Sequence, residues 1–175
     1  MAEALDPAIP PAVDELAQEV LRAAEEQRLM LTAAESCTGG LLASLLTDIP
    51  GHSHAFERGF VTYTDEAKHE MLGVPSDTLN RFGAVSRETA EAMARGALGH
   101  ADAAIVVSIT GIAGPGGGSP EKPVGLVHFA AASHGGRLIH RERRFGDIGR
   151  AEVRRRSVLE ALAMLTELAH QAAHS

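Results

Sequence analysis

The sequence predicts one α/β domain built on a single mixed sheet with helices packed against its faces. Short β-branched runs alternate with segments of helical periodicity along most of the chain, as crossover units require. Near the end, two strand-like runs meet across a glycine turn, so a hairpin adds antiparallel strands to the same sheet. A length of 175 residues with 45% hydrophobic content accommodates one substantial core and makes a single domain the expectation.

Each element has its own signal. After Pro10-Pro11, the apolar residues Val13, Leu16, Val20, Leu21 and Ala24 recur at helical spacing, which predicts an opening helix. Leu29 to Ala34 is a short apolar run suited to a buried strand, and Thr38-Gly39-Gly40 leads from it into a helical Leu41 to Leu46. Pro50-Gly51 breaks that helix, and Ala55 to Thr64, carrying Phe, Val, Thr and Tyr, reads as the next strand. Thr64 is a natural cap, Asp65-Glu66 place negative charge in a first helical turn, and Gly73 ends the short helix that carries Lys68. Ser86 caps a helix through Leu98, with Ala90, Met93, Ala94 and Ala97 as its apolar stripe and Gly99 as its stop. Ala103 to Ile109 has the β-branched density of a central strand buried on both faces. Val124 to Ala132 and Arg137 to Phe145 form the hairpin around Ser133-His134-Gly135-Gly136, and a last helix runs from about Arg150 to Ala169.

Composition excludes several classes of function. The N-terminus, Met1 to Asp6, is acidic where a secretory signal is basic, and no uncharged apolar run approaches the roughly 20 residues that span a bilayer. A cytoplasmic protein with no membrane partner is expected, with residues 1–12 as an N-terminal extension. The lone Cys37 cannot form a disulfide within the chain and fits a reducing compartment. A formal net charge of -7 opposes attraction to nucleic acid. Positive charge is nevertheless concentrated late, at Arg137, Arg141, Arg143, Arg144, Arg150, Arg154, Arg155 and Arg156. Most of these read as a solvated face balanced by Glu142, Asp147 and Glu152, although such a cluster can also serve a small anion.

Three segments carry residues capable of chemistry. Glu35-Ser36-Cys37-Thr38-Gly39-Gly40 sets nucleophile-capable side chains where a strand turns into a helix. Free amides and the positive helix pole are expected there to favour developing negative charge. On local grounds Ser36 or Thr38 can equally be a helix cap, and Cys37 is a second candidate nucleophile. Tyr63 and Lys68 follow about one helical turn apart, and a lysine serves a serine as base only when largely neutral. The simplest local reading is an exposed Lys68 paired with Glu66 or Glu70, which would keep it charged. Thr110 to Gly118, with five glycines after a central strand, can present successive amides to an anion or can be a long hairpin connection. It lacks the Gly-Lys-Ser/Thr ending of a phosphate loop and the dinucleotide-binding glycine pattern. His52 and His54, with seven further histidines, have no metal-ligand spacing and read as surface residues, so no metal is expected.

Taken together and in order, Ala34 to Gly40, Gly59 to Tyr63, Glu66-Ala67-Lys68, Leu72-Gly73-Val74, Gly83 to Ser86 and Thr110 to Gly125 resemble the CinA C-terminal-domain family. The resemblance spans roughly residues 13 to 170, and the combination is far more specific than any one glycine-rich piece. It implies an α/β/α sandwich over residues 13–172. The activity it implies is cofactor-free and metal-independent hydrolysis of nicotinamide mononucleotide to nicotinic acid mononucleotide and ammonia, in an oligomer expected to be a dimer. It places the nucleophile at Ser36, proton transfer at Lys68 with Tyr63 nearby, and substrate binding at Thr38, Gly39, Gly40, Thr110, Gly111 and Gly114. Phe145 to Arg150 matches the family's Phe-x-Gly-Asp-Arg pattern with altered spacing, which leaves the anion-binding role open between Arg150 and Arg154. A catalytically silent nucleotide-binding or regulatory module is the alternative, because an anion loop requires no hydrolysis. Longer relatives carry an additional N-terminal domain, whose activity is not carried over to this chain.

Overall fold

A computed structural model describes residues 10–172. Its elements run α1 (Pro11–Glu26), β1 (Leu31–Glu35), α2 (Leu41–Asp48), β2 (Phe56–Val61), α3 (Asp65–Leu72), α4 (Ser76–Phe82) and α5 (Arg87–His100). β3 (Ile105–Gly111), β4 (Leu126–Ser133), β5 (Leu138–Arg144) and α6 (Arg150–Ala172) complete them. Most of the expected extension lies outside the described residues, and Pro11 and Ala12 already belong to α1. Among the described residues, no helix is long and apolar enough to cross a membrane.

The strands form one sheet in the order β2-β1-β3-β4-β5. β1 pairs in parallel with β2 and β3, whereas β3–β4 and β4–β5 are antiparallel. This is the mixed sheet expected from crossovers followed by a hairpin. Alternation along the strands divides the core: Leu31, Ala33, Val107, Val127 and Phe129 pack with α1, α2 and α6. Ala34, Val106, Ala130 and Ala132 face the other way, onto Leu72, Leu79 and the Ala90–Met93–Ala94–Ala97 stripe of α5. The result is a three-layer α/β/α sandwich whose central strands bury both faces, so β1 and β3 are buried at nearly every position.

Several boundaries differ from those read in the sequence. The first strand starts two residues later than expected, and β2 stops at Val61, which leaves Thr62, Tyr63 and Thr64 as a corner before α3. α5 continues through Gly99 to His100, whose ring contacts the Gly96 carbonyl at 2.7 Å. α4 was not anticipated: it is seven residues long and buries only Leu79, too little for a periodic signal. β3 extends through Thr110 and Gly111, so the glycine segment begins inside the sheet rather than in a free loop. The histidines are not all superficial either, since His128 on β4 is buried and its Nδ1 lies 3.0 Å from His140 Nε2 on β5.

Candidate active site

The topology gathers the chemistry at the carboxyl ends of β1, β2 and β3. The chain leaves β1 over one face of the sheet and returns from β2 to β3 over the other, and such a switch point opens a crevice at the strand ends. A cavity of about 240 Å³ lies there, lined among others by Ser36, Tyr63, Lys68, Thr110, Gly114 and Arg150. Another, of about 270 Å³, is lined by Leu29, Ser133, His134 and Arg137 and contains none of the candidate residues.

The Ser36 turn is tightly specified. Ser36 N–H donates to Ile109 O at 2.9 Å, and Gly39 N–H donates back to Ser36 O at 3.0 Å. Gly39 and Gly40 have φ of +58° and +92°, successive left-handed positions that a side chain would resist. Gly40, the N-cap of α2, offers no capping oxygen. Glu35 takes over that role: its Oε2 accepts from Leu42 N at 3.1 Å and its Oε1 from Ala43 N at 2.8 Å. The expectation that these helix-end amides are free for a reacting oxygen is therefore corrected. In the sequence Glu35 stands out only as part of a motif; an acidic residue just before a strand-to-helix turn that lacks a capping side chain is the signal for its role.

Lys68 is corrected more strongly. It is 0% exposed and pairs with neither Glu66 nor Glu70. Thr64 caps α3 by accepting from Ala67 N at 3.1 Å, and this aims Lys68 inward from the first turn. Its Nζ sits 3.0 Å from Ser36 Oγ, 3.0 Å from Thr62 O and 3.3 Å from Tyr63 O. Burial pulls the amine below its ordinary value, against Asp65 and Cys37, which favour the charged form. Cys37 is buried beside this pair, and burial pushes its thiol up to about 12.

The remaining candidates divide into two groups. Thr110, Gly111, Gly114, Tyr63 and Arg150 line the cavity. The Thr110 hydroxyl is spent on Ala84 O at 2.7 Å, so it fixes the Gly83–Ser86 wall. Arg150, the first residue of α6, donates to Gly114 O at 2.9 Å and to the exposed Tyr63 hydroxyl at 3.3 Å, thereby bridging the mouth. Thr38, Gly39, Gly40 and Arg154 are not among the residues that line the cavity. Arg154 donates to Thr38 O at 2.9 Å and braces the turn from below. The other late arginines mostly form surface pairs, Arg141 and Arg143 with Glu160, Arg144 with Glu142, and Arg155 and Arg156 with Glu152. Among the described residues, no group of three or more His, Cys, Asp or Glu is placed to hold a metal ion.

Comparison with known proteins follows this geometry. The CinA C-terminal domain family model matches residues 13–169. The CinA-like protein of Akkermansia muciniphila is 58% identical over 111 residues, and this match covers 63% of the chain but 27% of that longer protein. Nicotinamide-nucleotide amidohydrolase PncC of Escherichia coli K12 is 51% identical over 152 residues, covering 86% of the chain and 91% of the relative. The crystal structure of competence/damage inducible protein CihA from Agrobacterium tumefaciens superposes with a TM-score of 0.91 at 53% identity, covering 93% of this chain and 98% of that one.

Proposed function

The chain belongs to the CinA C-terminal domain family, and on that premise we propose that it is an amidohydrolase converting nicotinamide mononucleotide to nicotinic acid mononucleotide and ammonia, with Ser36 as nucleophile and Lys68 as its base. The observation that carries this reading is the environment of the Lys68 amine. Nζ lies within hydrogen-bond reach of Thr62 O, Tyr63 O and Ser36 Oγ; a neutral amine can donate its two N–H groups to the two carbonyls and turn its lone pair to the Ser36 hydroxyl, which both donates and accepts. Burial favours the neutral form, so the lone pair is available to take the serine proton.

The steps balance without a metal or cofactor. Ser36 Oγ attacks the carboxamide carbon as its proton passes to Lys68. The oxyanion is held by amides of the Cys37–Thr38 turn, not by the α2 amides that Glu35 occupies. Lys68 returns the proton to the nitrogen, the C–N bond breaks and ammonia leaves. Water, deprotonated by Lys68, then cleaves the ester and restores Ser36. Arg150, at the mouth and free of any carboxylate in its described contacts, takes the substrate phosphate together with glycine-loop amides. Tyr63, bonded to Arg150, orients the bound nucleotide and offers a second route for proton return. Arg154 supports the turn. Family membership also supports a cytoplasmic homo-oligomer, expected to be a dimer.

Replacing Ser36 tests the assignment and separates it from a silent binding module. Ser36→Ala should bind the mononucleotide yet release no ammonia, and Cys37→Ala should stay active. An inactive Cys37→Ala beside an active Ser36→Ala would transfer the nucleophile to the thiol. A wild-type protein that binds the nucleotide without releasing ammonia would establish the module instead.

A further inference from the structure

Ser36 and Cys37 are adjacent nucleophile-capable residues on one turn, both buried and both lining the same cavity. A thiol is intrinsically the stronger nucleophile, and at a helix N-terminus it is normally acidified. The residue that intervenes is Glu35, which is 1% exposed. Its carboxylate pairs with no lysine or arginine among the described contacts; both oxygens are spent on Leu42 and Ala43 amides, the two that would otherwise project the α2 dipole toward the turn. Two oxygens that each accept a hydrogen bond match the ionised, acceptor-only form of the side chain. The same residue reaches the base through its backbone: Glu35 O accepts from Thr62 N at 2.9 Å, and Thr62 O accepts from Lys68 Nζ at 3.0 Å.

We propose that Glu35 selects the nucleophile: its side chain closes the Ser36–Gly40 turn onto α2 so that Ser36 meets Lys68, and it sets a fixed negative charge in place of free helix amides beside Cys37. The inference rests on the Ser36–Lys68 reading and assigns Glu35 a positioning role, since it touches neither substrate nor the reacting atoms. The charged and titratable groups acting on the thiol are Glu35, Arg150 and Arg154, with the Lys68 amine also coupled to it. After burial, Glu35 opposes thiolate formation, while the Cys37 amide and the two arginines favour it. Removing the Glu35 charge and releasing two amides both act in the direction of thiolate.

Cys37 is the only cysteine in the sequence and Tyr63 the only tyrosine, so ultraviolet absorbance of the thiolate, read in a Tyr63→Phe background that removes the overlapping phenolate, reports it alone. In Glu35→Gln the thiol should titrate at least about one pH unit lower than in the wild type, a tenfold larger thiolate fraction at fixed pH. kcat for ammonia release should fall about 100-fold, the scale of a small misplacement, with KM little changed. Glu35→Asp keeps the charge but is one methylene too short to span both amides; its thiol should titrate between the wild type and Glu35→Gln while kcat falls. This second variant also serves if the glutamine protein does not fold. An unmoved thiol titration in Glu35→Gln, or wild-type kcat in either variant, overturns the proposal. The titration is read without turnover, so it fails separately from the nucleophile reading. Ammonia release by Ser36→Ala would remove that reading and the selection with it, whereas an inactive Ser36→Ala with an unmoved thiol rejects the selection alone.

Discussion

Replacing Lys68 with Met should change how the stability of the protein depends on pH. The amine is fully buried, and burial lowers its pKa from the ordinary 10.5. Between the folded pKa and 10.5 the unfolded chain holds a proton that the folded protein lacks. Unfolding therefore takes up a proton, and stability rises with pH across that window by at most about 1.4 kcal/mol per pH unit. Below the folded pKa both states are protonated, the slope vanishes and the full cost of burying the cation is present. Met has a similar length and no proton to exchange, so Lys68→Met gains most over the wild type at low pH and loses that gain as pH rises. The three lost contacts of Nζ, worth about 1 kcal/mol each, offset the two curves by a constant. The His128–His140 pair cancels in the difference. Urea unfolding followed by circular dichroism from about pH 7 to about pH 10 measures the two curves. Parallel curves would show that Lys68 is not shifted, and its role as a resting neutral base would be lost.

The pH profile of kcat/KM should show an acid limb at the lowered lysine pKa, and Lys68→Arg should be nearly inactive, because guanidinium cannot accept the serine proton; substantial turnover by the arginine protein would leave Lys68 only a positioning role. Gly125→Ala places a Cβ 2.3 Å from Gly146 O and 2.4 Å from Gly146 N at a φ of +88°, so it should cost more than about 1 kcal/mol. By displacing the segment that leads to Arg150, it should also raise KM for the mononucleotide about tenfold with a smaller change in kcat, as steady-state kinetics and thermal melting can show. Chelators should leave ammonia release intact, because Ser36, Lys68 and backbone amides supply attack and charge stabilisation; loss of activity restored by one divalent ion would contradict the mechanism.

The layered fold was legible because its signals are local. Ile105 to Ile109 reads as a central strand from β-branching alone, and the Ala90–Met93–Ala94–Ala97 stripe reads as a helix from spacing alone. Elements whose burial depends on distant chain were not. α4 contributes one buried leucine, which leaves no period to detect. Lys68 has acidic neighbours on its own helix, so its sequence window describes a surface lysine. The groups that bury and satisfy it are Ser36, 32 positions earlier, and a corner made when β2 ends three residues sooner than its composition suggests.

The site shows the same division between residue type and accessibility. Sequence placed Ser36 beside the N-terminus of a helix, and that position is correct, but a helix end donates only to acceptors that have not been outcompeted. Glu35, covalently tethered one residue before the serine, reaches the Leu42 and Ala43 amides with both oxygens at 3.1 and 2.8 Å. A substrate oxyanion would have to displace a buried carboxylate to use them, leaving that charge without partners at a cost of several kcal/mol. On the proposed mechanism, charge developing at Ser36 is met inside the Cys37–Thr38 turn. The turn is fixed by three contacts, Glu35 on the Leu42 and Ala43 amides, Arg154 on Thr38 O and the Ser36 amide on Ile109 O. Helix geometry positions Ser36, and the side chain that caps the helix determines which amides are left for an oxyanion formed there in the proposed reaction.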